Sequence, residues 1–145
     1  MTDTIPTPPL TGVHNIRIPV SDLERSIEWY TRVFGFEQLM EFTDHGTRTG
    51  MVLAHESGAR LILMIDPETA AAMGRQSPGL GPVALGVADR AQLADWVDRL
   101  NALGIENEGS YQGHLGWTIP HIQDPDGLEI RIYTEEVPDT LPDYH

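Results

Sequence analysis

The sequence predicts an α+β fold in which one supersecondary module is used twice, and three observations carry that prediction. Residues 15–32, "NIRIPVSDLERSIEWYTR", lie over residues 82–99, "PVALGVADRAQLADWVDR", at an offset of 67. Ile16, Ile18 and Val20 then meet Val83, Leu85 and Val87, while Asp22, Trp29 and Arg32 meet Asp89, Trp96 and Arg99. "ESGARLILMI" and "DPDGLEIRIY" align in the same way through Gly58 and Gly127, at an offset of 69. In each half the apolar positions first alternate and then switch to a helical spacing. The order is strand, helix, then about three strands, twice over: two tandem βαβββ modules, residues 13–66 and 82–134.

Local signals justify the elements. Ile16, Ile18 and Val20 mark one face of an opening strand, and Val83, Leu85 and Val87 mark its copy. Ser21 with Glu24 has capping-box spacing, as does Asp89 with Gln92. Leu23, Ile27, Tyr30 and Phe34 form an apolar helical stripe, and Leu93, Trp96 or Val97, Leu100 and Leu103 form another. Gly35 and Gly104 stand where a helix end takes a left-handed residue. Trp29 and Trp96 read as core. The strands that follow form antiparallel meanders, which need a helix over one face.

A chain of 145 residues suits one compact domain. We read residues 1–11 as an N-terminal extension, 12–134 as the domain and 135–145 as an acidic tail. The formal charge of −13 makes nucleic acid and anionic membrane surfaces poor partners, since both select clustered cations. The sequence has no run of about 18 apolar residues, and "MTDTIPTPPL" lacks the features of a signal peptide, so a cytoplasmic protein is expected. The absence of cysteine excludes disulfides and thiolate metal sites.

"VSDLERSIEWYTRVFGFE", "VALGVADRAQLADWVDRLNALGIE" and "DPDGLEIRIY" together resemble the vicinal oxygen chelate (VOC) superfamily of glyoxalase, bleomycin-resistance and extradiol dioxygenase proteins. The resemblance covers roughly residues 12–134. It implies two βαβββ modules forming a curved mixed sheet around a cleft, and a homodimer. Fold alone does not select among the superfamily's many activities.

The resemblance also implies where a metal would sit, on the cleft face of the first and last strand of each module. The first ligand of the family lies seven residues before the helix-start Asp, which gives Asn15 from Asp22 and Pro82 from Asp89. The closing strands give Ile62 and Arg131. Isoleucine and proline offer no ligand atom, arginine has no acceptor, and a lone amide is a poor ligand. No metal and no cofactor is therefore expected. A one-residue shift would bring in His14 and still leave three positions without ligands. Arg131 stands where the family places an acidic ligand, and two readings apply to it: an anchor for an anionic ligand group, or an ion pair with Glu129.

Alternation puts Asn15, Arg17, Glu129, Arg131 and Tyr133 on the cleft face. Counting back from Ile122 adds His121, Ile119 and Trp117. His121 and Glu129 are the candidate acid–base pair. Asn15, Arg17, Trp117, His121, Arg131 and Tyr133 are the candidate ligand contacts, with the aromatic residues able to stack on a flat molecule. His14, His45, His55, His114 and His145 show no ligand spacing, and no phosphate loop, nucleophile elbow or dinucleotide fingerprint occurs. The leading expectation is a metal-independent binder of a small organic molecule. The alternative is an enzyme of the same superfamily acting on a carbonyl or phenolic compound, either with His121 as base or with metal ligands moved to His14 and His121.

Overall fold

The computed structural model describes residues 5–139. β1 (Ile16–Val20) leads into α1 (Leu23–Phe34), followed by β2 (Glu37–Asp44), β3 (Thr47–Ala54) and β4 (Arg60–Ile65). After α2 (Pro67–Gln76) the order returns as β5 (Val83–Val87), α3 (Arg90–Ala102), β6 (Tyr111–Gln112), β7 (Trp117–Gln123) and β8 (Glu129–Thr134). The strands form two four-stranded sheets, β1-β4-β3-β2 and β5-β8-β7-β6. In each sheet the first strand runs parallel to the last and the remaining pairs are antiparallel. The registers repeat too: Arg17 lies beside Ile62 in the first sheet, and Ala84 beside Arg131 in the second.

Each module also repeats the turn before its closing strand. His55 N–H donates to Ala59 O (3.0 Å) and Gly58 N–H to His55 O (2.9 Å). Asp124 N–H donates to Leu128 O (3.0 Å) and Gly127 N–H to Asp124 O (2.9 Å). Gly58 and Gly127 sit at φ +96° and +89°, where any other residue is strained. A shared turn explains why the 69-residue offset extends over the whole strand that follows.

One apolar core joins the modules. Ile18, Val20, Leu61 and Leu63 from the first sheet and Val83, Ile130, Ile132 and Ile122 from the second are all buried, with Leu23, Ile27, Leu93 and Leu100 of the helices packed among them. Each such side chain contributes about 1.5–3 kcal/mol on burial. Phe34 of α1 meets Trp96 of α3 with ring centroids 5.5 Å apart. The equivalent arginines then cross between the helices. Arg99 donates to Val33 O (2.9 Å) and Arg32 O (2.6 Å), and Arg32 donates to Leu103 O (3.1 Å). Each helix thus has its last carbonyls, the negative end of its dipole, met by a cation from the other module.

The second link is buried. Tyr30 of α1 donates its hydroxyl to Asp124 Oδ2 at 2.7 Å, while Asp124 Oδ1 accepts from the N–H groups of Asp126 (2.9 Å) and Leu128 (3.0 Å). Burial raises the Asp124 carboxyl above its ordinary value, against the opposing pull of the Tyr30, Leu128 and Asp126 donors. Burial, with the nearby Asp124, raises the Tyr30 phenol well above its own.

Three details differ from the sequence reading. The α1 cap is Asp22, which accepts from Arg25 N–H (3.1 Å), and Ser21 bonds instead to Asp126 across the module boundary. At α3 the expected pair holds: Asp89 accepts from Gln92 N–H and Gln92 accepts from Ala88 N–H. Between the modules, residues 67–76 form α2, capped by Asp66 with Pro67 at its first position. Its face is short and alanine-rich, with Ala70 buried, so it carries little periodic signal. Gly74 lets it touch the turn at Asp126, where a Cβ would lie 2.1 Å from a backbone oxygen. At the far end, Glu135 and Glu136 continue hydrogen-bonding to Val87 and Ala88, and the tail beyond residue 139 lies outside the described residues.

Tyr30→Phe should cost about 1–3 kcal/mol, because a buried carboxylate loses a donor that water cannot easily replace. Urea denaturation followed by circular dichroism measures this directly. An unchanged midpoint would mean that the hydroxyl contributes nothing to the join.

Candidate functional site

The helix-free face of the second sheet is organised around Glu129, the first residue of β8. Only 1 % of it is exposed. Oε1 accepts from Gly79 N–H (3.0 Å) and from His121 Nδ1, and Oε2 accepts from Arg131 Nε (3.1 Å) and lies 3.1 Å from Nη2 in the same ion pair. Its own N–H donates to Ser77 Oγ (3.0 Å). Burial raises this carboxyl, but the Gly79 N–H, His121 and Arg131 outweigh it, so the group is held below its ordinary value. Three hydrogen bonds and an ion pair hold Glu129 in its charged form, which suits it to orient His121 rather than to take a proton from a substrate.

Arg131 is therefore paired. Nε and Nη2 grip Glu129, and Nη2 also donates to Gly79 O (3.1 Å), so the two-pronged face of the guanidinium is occupied from within. The segment from Ser77 to Gly81, between α2 and β5, is the clamp. At Gly81 (φ +59°) a Cβ would fall 2.2 Å from Arg131 Nε. Of the two sequence readings for Arg131, the ion pair is present in the structure, and it leaves Nη1 as the edge open to anything else.

His121 is held differently. A register shift between Ile119 and Ile122 bulges β7 at Pro120 and His121, and His121 takes φ +63°, a left-handed conformation unusual outside glycine. Backbone strain of this kind costs about 1–3 kcal/mol and collects at functional positions. Glu129 accepts from Nδ1–H, which fixes the tautomer and leaves Nε2 with its lone pair. The ring borders an open pocket of about 510 Å³ shared with Glu106, Asn107, Glu108 and Gln123.

The same bulge corrects two sequence expectations. Its extra residue reverses the alternation before it, so Ile119 is fully buried in the core opposite Ile132. Trp117 follows Ile119 onto the helix side, where Arg90 of α3 stacks over its ring at 4.2 Å. Trp117 and His121 do not share a face. Pro120, which has no N–H for the ladder, was the signal available in the sequence.

The remaining candidates lie along the helix-free faces. Tyr133 is half-buried beside Gly113, with Thr118 opposite it in register. Thr118, absent from the sequence candidates, keeps a buried hydroxyl with no hydrogen-bond partner among the described residues. Arg17 is exposed on β1 next to Ile62. Asn15 is half-buried against His14, whose Nε2 lies 2.9 Å from Arg60 Nη1. The structure thus brings His121, Glu129 and Arg131 together and leaves Arg17 on the other sheet, with Asn15 just ahead of β1.

A family model described as the glyoxalase/bleomycin resistance protein/dioxygenase superfamily matches residues 12–132. The chain belongs to that superfamily. Catechol-2,3-dioxygenase of Bacillus subtilis (strain 168) is 29 % identical over 125 residues, covering 86 % of this chain and 42 % of the dioxygenase, so the chain spans less than half of that relative. Among solved structures, the antibiotic binding protein TnmS3 from Streptomyces sp. CB03234 superposes with a TM-score of 0.66 at 22 % identity, covering 88 % of this chain and 98 % of that one. The fosfomycin resistance protein FosX from Listeria monocytogenes does so with 0.65 at 16 % identity, covering 86 % and 93 %. Both support the superfamily fold. The four positions that the resemblance assigns to a metal, Asn15, Ile62, Pro82 and Arg131, form a donor set that does not fit a divalent cation. Among the described residues no group of three or more His, Asp or Glu could hold one elsewhere.

Because the Glu129 carboxyl is depressed on folding, its contribution to stability is complete above its ordinary value of 4.5 and is lost as the pH falls through the lower folded value. The unfolding free energy of the wild type should therefore fall more steeply than that of Glu129→Gln as the pH drops below 4.5. Parallel curves from urea titrations at stepped pH would contradict this.

Proposed function

We propose that this chain is a metal-independent small-molecule-binding member of its superfamily, holding an organic ligand on the helix-free face of its sheets. The observation that carries this reading is the residue set at the four metal positions, with Arg131 already neutralised by Glu129. A cation placed there would meet a guanidinium, and the pair leaves no net charge to attract a carboxylate strongly. The exposed Pro82, Ala84 and Gly86 beside Arg131 and Tyr133 form a low shelf on which an organic ligand could lie. A homodimer, as the resemblance implies, would place a second copy of these faces alongside.

A second reading is favoured by one observation, the His121–Glu129 pair. A buried carboxylate that orients an imidazole with its Nε2 free is the arrangement of a general base. In that reading a carbonyl or phenolic substrate gives a proton to Nε2 and Arg131 Nη1 steadies the oxygen left negative. The version with ligands relocated to His14 and His121 is disfavoured, because the Arg60 guanidinium occupies His14 Nε2.

Equilibrium dialysis against Mn, Zn, Fe and Ni, followed by elemental analysis, should recover no stoichiometric ion. A retained ion lost on Asn15→Ala would overturn the metal-free reading. For any ligand found by thermal-shift screening, His121→Ala decides between the two functions. Turnover that falls by about a hundredfold or more with binding retained means that His121 is a base, as general-base removal typically costs about 10²–10⁴. The absence of turnover with either protein leaves the binder.

A further inference from the structure

A different pocket lies on the helix side, between the modules, and no candidate from the sequence falls in it. Its volume is about 250 Å³, and its walls include Phe34, Phe36, His55, Leu85, Val87 and Trp96. The internal repeat explains why it exists. Leu85, Val87, Ile132 and Trp96 are the equivalents of Ile18, Val20, Leu63 and Trp29, and His55 is the equivalent of Asp124. On the Asp124 side the corresponding space is filled by Tyr30, whose hydroxyl reaches the turn. Position 97, the equivalent of Tyr30, carries valine, too short to do the same. Ile18 and Val20 are accordingly buried to 1 % and 0 %, while Leu85 and Val87 remain half-buried.

We infer that this pocket binds a single aromatic ring bearing a hydrogen-bond-accepting oxygen, such as an aryl ketone or a phenolate, in the place that Tyr30 holds in the other half. The volume suits one substituted ring, since a dry cavity of about 150 Å³ already admits benzene. Trp96, Phe34 and Phe36 supply ring faces and edges, with Phe36 5.2 Å from His55. The polarity comes from His55. Ser57 N–H donates to its Nδ1 (3.0 Å), so the proton of the neutral imidazole sits on Nε2 and that atom donates. Asp124 accepts from Tyr30, whereas His55 offers a donor, and the ligand oxygen must accept. The site is separate from the Glu129 face, because the side chains of Leu85, Val87 and Ile132 alternate with those of Ala84, Arg131 and Tyr133 along β5 and β8, and Gly86 contributes only backbone to the pocket wall.

Calorimetric titration with acetophenone tests this on the whole chain, with melting temperatures confirming that each variant folds. Saturable one-to-one binding is expected. It should be lost in Val87→Phe and in Ala59→Leu, which fill the space from two sides, and retained in Arg131→Ala. His55→Phe should weaken it about fivefold to tenfold, the worth of one hydrogen bond. His55→Asp should reverse the preference, favouring phenol over acetophenone, because a carboxylate accepts where the imidazole donated. No saturable binding by the wild type, or binding that survives both filling variants, overturns the inference. Binding lost in Arg131→Ala but kept in Val87→Phe also overturns it, and places the ligand on the face proposed above.

Discussion

The buried carboxylate of Asp124 is the constraint on which most of the molecule depends. It closes the turn ahead of β8 through two backbone N–H groups and takes the Tyr30 hydroxyl from the other module. The turn then presents Asp126 to Ser21 and Arg25 at the start of α1, and Gly127 to Gly74 of α2. Because the turn sets where β8 begins, it also sets the register that brings Ala84 beside Arg131 and Glu129 beneath the Ser77–Gly81 clamp. A carboxylate this deep would be costly alone. Three hydrogen bonds offset its desolvation, and the core that it joins supplies the rest.

Much of this was legible in the sequence. The repeat gave both modules, their sheets and the equivalent turns, because alternation, helix caps and a left-handed glycine are local properties written within a few residues. The Arg131–Glu129 pair was visible as two charges on one strand face. The bulge was marked only by Pro120, and alternation counted from Ile122 runs straight through Pro120 and His121, which misplaced Ile119 and Trp117. The clamp was hidden for another reason. Ser77, Gly79 and Gly81 reach Glu129 and Arg131 across about fifty residues of chain, and nothing local in a glycine signals a distant carboxylate. The helix between the modules escaped because it lies outside the repeat and buries little.

The two halves share a backbone plan and divide its chemistry unequally. On the helix side one half completes its own packing with Tyr30 while the other stays open under His55. On the sheet side one half sets an exposed Arg17 beside a buried Ile62, and the other presents a neutralised triad of His121, Glu129 and Arg131. Duplicated architecture supplies two equivalent scaffolds, and side-chain divergence gives each a separate task.

The crossed arginines carry a consequence for how the chain can come apart. Arg32 and Arg99 each spend their guanidinium on the last carbonyls of the opposite helix. A severed half-chain would therefore leave its last helix carbonyls without these donors, in addition to exposing Phe34 or Trp96. Neither half is a miniature of the whole. The contacts between the helices do within one chain what an interface between two like subunits does between chains.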